Sequence, residues 1–230
     1  MTKEIILSNG KVATLEGLKP KKSLSELLQG VKGFERVDKA LIVLLDTSGS
    51  MCDNMETSTK IKVAWNILKN DLMPNMAGWN YGVLTFGGFQ NITWEVYPCQ
   101  DTHALVVLNT PQANGSTPMR QALEMAWDWV RRHAKQARFI LLSDGVPTDS
   151  PTEEILRLAK ENRTVPIDTV GIGSPNTYSY DPVFLRTLSE LTGGTFVEAS
   201  SVKMLANTML KLSPMNRPLL GTVKEKSNGT

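Results

Sequence analysis

Cysteine is nearly missing from this chain. Cys52 and Cys99 are the only two in 230 residues, too few for a disulfide framework, so a reducing compartment is the simpler setting. Histidine is equally scarce at two residues, which argues against a zinc site built on His and Cys. Charge of one sign is lacking as well: 25 Lys and Arg stand against 23 Asp and Glu, a formal net charge of +2. That balance gives no electrostatic case for nucleic acid as a partner, and the one basic cluster, Lys19-Pro20-Lys21-Lys22, reads as a solvated loop. No run approaches the roughly 20 apolar residues of a membrane span. The opening Met1-Thr2-Lys3-Glu4-Ile5 has no apolar core of the kind an export signal carries. The expectation is a cytoplasmic protein with no membrane partner. A phosphate loop is missing too, since Gly87-Gly88 reads as a turn with neither a dinucleotide fingerprint nor a following Lys-Ser/Thr.

What the chain does have is an apolar run, Leu41-Ile42-Val43-Leu44-Leu45, that ends abruptly in Asp46-Thr47-Ser48-Gly49-Ser50. An unbroken aliphatic run suits a strand of a parallel sheet covered by helices on both faces. Asp46, Ser48 and Ser50 are short oxygen donors set two apart, and Gly49 permits the bend that turns them inward. Such a loop suits a hard cation better than a core, because magnesium takes about six oxygens. Further oxygens come from Gly115-Ser116-Thr117-Pro118, which opens a helical segment, and from Phe139-Ile140-Leu141-Leu142-Ser143-Asp144-Gly145, a second apolar strand ending in an acid. Parallel neighbours would bring Asp46 and Asp144 off one edge of the sheet, where open α/β folds bind ligands.

The remaining pattern alternates strands with helices. Spacing predicts a helix over residues 56–72 carrying Trp65 on its apolar stripe, then strands at 81–86 and 92–97 that pair antiparallel, the latter at the sheet edge. A helix follows from Thr117 to about Lys135, with Trp127 and Trp129 flanking its stripe as boundary residues and His133 packed late on the same face. Ser150-Pro151-Thr152-Glu153 carries the signs of a capping box and starts a helix through Asn162. Asp149 before it reads as a turn or cap residue. A strand at 165–172, a helix opened by Asp181-Pro182 and closed at Gly193-Gly194, a strand at 195–197 and a helix at 202–212 complete the series. Ahead of it, residues 5–13 read as a hairpin turning at Asn9-Gly10, and Ser23-Leu24-Ser25-Glu26 as a second capping box.

Asp46-x-Ser48-x-Ser50, then Thr117, then Asp144 followed by Gly145, resembles the metal-ion-dependent adhesion site of von Willebrand factor A domains of the cytoplasmic, prokaryotic type. All five positions match in type and order, and the likeness covers roughly residues 40–212. The resemblance implies an α/β, Rossmann-like, doubly wound sheet of about six strands in the order 3-2-1-4-5-6, mainly parallel with the third antiparallel, and helices on both faces. It divides the chain into an N-terminal extension at 1–39, the domain at 40–213 and a flexible tail at 214–230. It also implies that Ser48 and Ser50 bind a divalent ion directly, Thr117 joins when ligand is present, and Asp46 and Asp144 bind directly or through water. Magnesium is the ion expected, with manganese and calcium as alternatives.

The function so implied is a protein-interaction module without turnover, whose metal coordinates a Glu or Asp of a partner protein. An AAA+ ATPase or a kinase/phosphatase module in the cytoplasm is the expected kind of partner, by analogy alone. Two other readings stand beside it. One is a metal that only ties loops together. The other is a magnesium-dependent phosphohydrolase resembling haloacid dehalogenases, with Asp46 as nucleophile; but Ser48 stands where that chemistry needs an acid to protonate the leaving group.

Overall fold

Alternation along one strand sets the architecture. In strand β1 (Val37–Thr47), Leu41, Val43 and Leu45 enter one core while Ala40, Ile42 and Leu44 enter another, so β1 is apolar on both faces. The computed structural model describes residues 36–88, 91–101, 104–173 and 180–213, with strand residues 4–6 and 12–14. Around β1 lie β2 (Asn80–Gly87), β3 (Asn91–Cys99), β4 (Ala134–Ser143), β5 (Ile167–Ile172) and β6 (Phe196–Ala199). The sheet has six strands in the order β6-β5-β4-β1-β2-β3. All neighbours are parallel except β2 with β3 at the edge. This is the order, with its single antiparallel strand, that the resemblance implied.

Helices α1 (Lys60–Ile67), α2 (Met119–His133), α3 (Thr152–Glu161), α4 (Pro182–Thr192) and α5 (Val202–Leu212) cover the two faces. The Leu41 face packs on Ile61, Ala64 and Trp65 of α1 and on Leu205 and Met209 of α5. The Ile42 face packs on Met119, Leu123 and Trp127 of α2, Ile155 of α3 and Leu188 of α4. Helix ends follow their chemistry. Asp181 accepts from Val183 N and Phe184 N at 2.9 Å each, and Gly193 closes α4 at φ 74°.

Four local readings are corrected. The helix expected at 56–72 begins at Lys60, because Glu56 takes φ 58° between the short paired strands Asn54–Met55 and Ser58–Thr59; beyond Ile67 it continues as a wider π turn over Leu68–Leu72. The helix expected to reach Lys135 gives way to β4 at Ala134. Ser150 forms no capping box, since its Oγ donates to Glu154 Oε2 at 2.5 Å. Trp127 and Trp129 are buried in the α2 core rather than at its boundary, whereas Trp65 is fully buried as expected.

The chain divides into two units, 1–35 and 36–230. In the first, Glu4–Ile6 pairs antiparallel with Val12–Thr14, Ile6 opposite Val12. The Asn9-Gly10 turn, the basic cluster at 19–22, the capping box at 23–26 and the tail at 214–230 lie outside the described residues. Among the described residues no helix is long and apolar enough to cross a membrane.

Candidate metal centre

Three chain segments meet beyond the carboxyl ends of β1 and β4. Asp46 is the last residue but one of β1, and its Oδ1 accepts from Ser48 N at 2.7 Å, which curls the following loop back over the strand. Ser48 Oγ and Ser50 Oγ then stand 3.2 Å apart. Ser50 Oγ donates to Asp144 Oδ1 at 2.6 Å, joining the β1 loop to the end of β4. Thr117 arrives from a third segment held by backbone: Gly49 N donates to Gly115 O at 3.1 Å, Asn114 N to Thr47 O at 2.9 Å and Ser116 N to Gly88 O at 2.8 Å. Gly115 has φ 65° and passes so close to Gly88 that a side chain at Gly115 would meet Gly88 backbone. Gly88 is therefore a docking point for the Thr117 loop and not merely a turn.

Gly145 shows how tightly the oxygens converge. The point where its Cβ would stand lies 3.1 Å from Thr117 Oγ1, 3.6 Å from Asp46 Oδ2 and 3.8 Å from Ser48 Oγ. Asp46, Ser48, Ser50, Thr117 and Asp144, singled out from three separated stretches, are thus neighbours. Asp46 and Asp144 are fully buried, while Ser50 is half-buried and Gly49 is exposed at the rim.

Asp149 holds the third segment in place as a cap. Its Oδ1 accepts from Arg120 N at 3.1 Å and its Oδ2 from Gln121 N at 2.9 Å, satisfying first-turn donors of α2 that Pro118 cannot serve. Thr148 adds a reciprocal pair, its Oγ1 accepting from Thr117 N at 2.9 Å and its N donating to Thr117 O at 3.0 Å.

Two polar residues of the centre were not foreseen. Ser143, fully buried, donates to Asp46 Oδ2 at 2.5 Å. Lys60, also buried, places Nζ 2.6 Å from Asp144 Oδ2. A signal existed for Lys60: it lies four residues before Ala64, on the apolar stripe of α1, where an ordinary lysine has no place. Ser143 had none beyond its position before Asp144. Cys52 is exposed and its Sγ donates to Ala113 O at 3.1 Å. His133 packs its ring 5.4 Å from that of Trp129.

The residues fit a hard divalent cation. The Asp46 carboxyl is raised to about 7, chiefly by burial, with the hydrogen bonds from Ser143 and Ser48 opposing the rise and nearby Asp144 adding to it. Its two hydrogen-bond partners are neutral, so a cation is the natural counter-charge. Every candidate donor is an oxygen, as magnesium, manganese or calcium prefers. Among the described residues no three His, Cys, Asp or Glu side chains gather as a metal cluster, so hydroxyls have to complete the set.

Residues 41–146 match the family model described as von Willebrand factor type A domain. The fold is shared with a solved ArnB paralog, VWA2, of Sulfolobus acidocaldarius, at TM-score 0.61 and 19% identity over 77% of this chain and 45% of that one. It is shared also with a von Willebrand factor type A protein of Catenulispora acidiphila, at 0.59 and 20% identity over 76% and 41%. This chain thus spans less than half the length of either. A third structure, proximal thread matrix protein 1 of the mussel byssus with a zinc-occupied MIDAS motif, matches at 0.52 and 19% identity over 76% and 45%. Comparison with curated proteins gives no match.

Proposed function

From the von Willebrand factor type A domain matched over residues 41–146, we propose that this protein is a metal-dependent protein-interaction module without turnover. Asp46, Ser48, Ser50, Thr117 and Asp144 hold a divalent ion, magnesium first among the candidates. When bound, the ion offers a Lewis-acidic place for an acidic side chain of a partner protein. The observation that carries this reading is the convergence of Thr117 Oγ1, Asp46 Oδ2 and Ser48 Oγ within 3.8 Å of the point above Gly145.

The donor mix explains the division of labour. Two carboxylates balance a divalent ion, and neutral hydroxyls fill the other protein positions without neutralising it further. Ser143 and Ser48 N orient Asp46 through its two oxygens, and Asp149 with Thr148 fixes the Thr117 segment. Against Asp46 as a phosphohydrolase nucleophile stands Ser48, a hydroxyl where that chemistry needs an acid to protonate the leaving group. We place the protein in the cytoplasm, in a complex with an ATPase or a phosphorylation module, as an extension of the same reading.

The test is a pull-down from the native host with and without EDTA, using wild type and Asp46→Ala. Capture of a partner that needs the metal and is lost in Asp46→Ala, with unchanged circular dichroism, is the expected result. Capture that survives both treatments overturns the reading.

A further inference from the structure

The buried lysine of the centre has no part in that account. Lys60 opens α1, and the short strand pair before it turns the chain so that Lys60 N donates to Asp53 O at 2.9 Å. Its side chain then runs inward, 9% exposed, to a point 2.6 Å from Asp144 Oδ2, 3.5 Å from Asp53 Oδ2 and 3.5 Å from Ser50 O. Asp144 is thereby held at both oxygens from two different segments, Ser50 Oγ on Oδ1 and Lys60 Nζ on Oδ2. An ammonium is costly to bury unless it is paired, and its buried partner is one of the carboxylates assigned to the metal.

We propose that Lys60 is a resident counter-cation of the metal centre, which holds Asp144 toward Ser50 and weakens the binding of a divalent ion on its own. The inference rests on the metal-binding reading above. Two carboxylates and one ammonium leave the centre with one negative unit, and a divalent ion carries it to one positive unit. Asp53 stays out of this count because its side chain is 68% exposed and solvent screens it. Without Lys60 the loaded centre would be neutral. With it, the centre binds metal less tightly and keeps a positive unit for a partner's carboxylate to neutralise, so metal and partner favour each other.

A role confined to packing predicts the opposite sign, since loosening Asp144 would lower metal affinity. The experiment is titration of the full chain with Mn2+ alone, by calorimetry, for wild type, Lys60→Met, Lys60→Gln, Lys60→Arg and Asp46→Ala. Lys60→Gln keeps a hydrogen-bond donor without charge, and it decides the question should Lys60→Met fail to fold. The expected result is Mn2+ binding about tenfold tighter in the two neutral variants, from loss of a like charge at close range, and within about threefold of wild type in Lys60→Arg. Equal or weaker binding in folded Lys60→Gln overturns the inference while leaving the metal site standing. Failure of wild type to bind Mn2+ any better than Asp46→Ala sinks the metal reading itself, and this inference with it.

Discussion

At the scale of single residues, the centre depends on a methyl group that is not there. Gly145 leaves open the space that three site oxygens border, and its φ is not in the left-handed region, so Gly145→Ala should be free of backbone strain. The added Cβ would stand 3.1 Å from Thr117 Oγ1, a contact that only a shift of Thr117 relieves. We expect Mn2+ affinity at least tenfold weaker by calorimetry with melting temperature within about 4 °C of wild type, the shift that roughly 1 kcal/mol produces in a domain of this size. An unchanged affinity would show that Thr117 is not a ligand. The acids and hydroxyls around Gly145 were legible in the sequence because each follows an apolar strand or precedes a helix, places where a polar cluster has no packing role. Ser143 was hidden because it belongs by position to β4, and Lys60 showed itself only as a lysine on the apolar stripe of α1, which does not say what its ammonium meets. Their inward orientation depends on neighbours distant in sequence.

At the scale of elements, what positions Thr117 is a cap supplied from another segment. The loop after β4 carries Asp144 to the centre and, five residues on, Asp149 to the N-terminus of α2, so one short loop sets two of the three converging segments. Removing this cap with Asp149→Ala should cost about 1 kcal/mol of stability, read by urea denaturation. Mn2+ binding should weaken severalfold through a looser Thr117, and Asp149→Asn should recover most of both losses. A stability loss with unaltered Mn2+ binding would mean that α2 holds Thr117 without the cap. Sequence patterns identified Asp149 as a turn or cap residue but could not say which helix it caps, because capping rules look only at residues next in the chain. The same locality explains the misplaced start of α1. The apolar stripe of Ile61, Ala64 and Trp65 is plain, yet the positive φ of Glu56 is imposed by strand pairing between Asn54–Met55 and Ser58–Thr59, which periodicity does not reveal.

At the scale of the whole molecule, the candidate centre and a buried ion pair lie toward opposite ends of β4. A mainly parallel sheet covered on both faces was legible because β1 is apolar on both faces and strand and helix patterns alternate, whereas the strand order itself came from the resemblance to von Willebrand factor A domains. What the pattern did not disclose is the ion pair inside that sheet. Arg138 on β4 and Asp168 on β5 are both buried, with Arg138 Nε 2.5 Å and its second nitrogen 3.3 Å from the two Asp168 oxygens. Asp168 Oδ1 also accepts from Thr195 N at 2.8 Å, tying in the approach to β6. Arg138 precedes Asp144 by six residues on the same chain segment, about 20 Å at the rise of a strand. Arg138→Met leaves a buried carboxylate without its guanidinium, a change that costs about 3–5 kcal/mol and should lower the melting temperature by about 10 °C. The double variant Arg138→Met/Asp168→Asn should regain much of that loss, since no charge is then stranded. Mn2+ affinity should match wild type in both, because β1 and β4 remain paired up to Leu45 and Leu142 and deliver Asp46 and Asp144 to the same edge. A fall in metal affinity that tracks the melting temperature would instead show that the centre is sensitive to strain anywhere in the sheet.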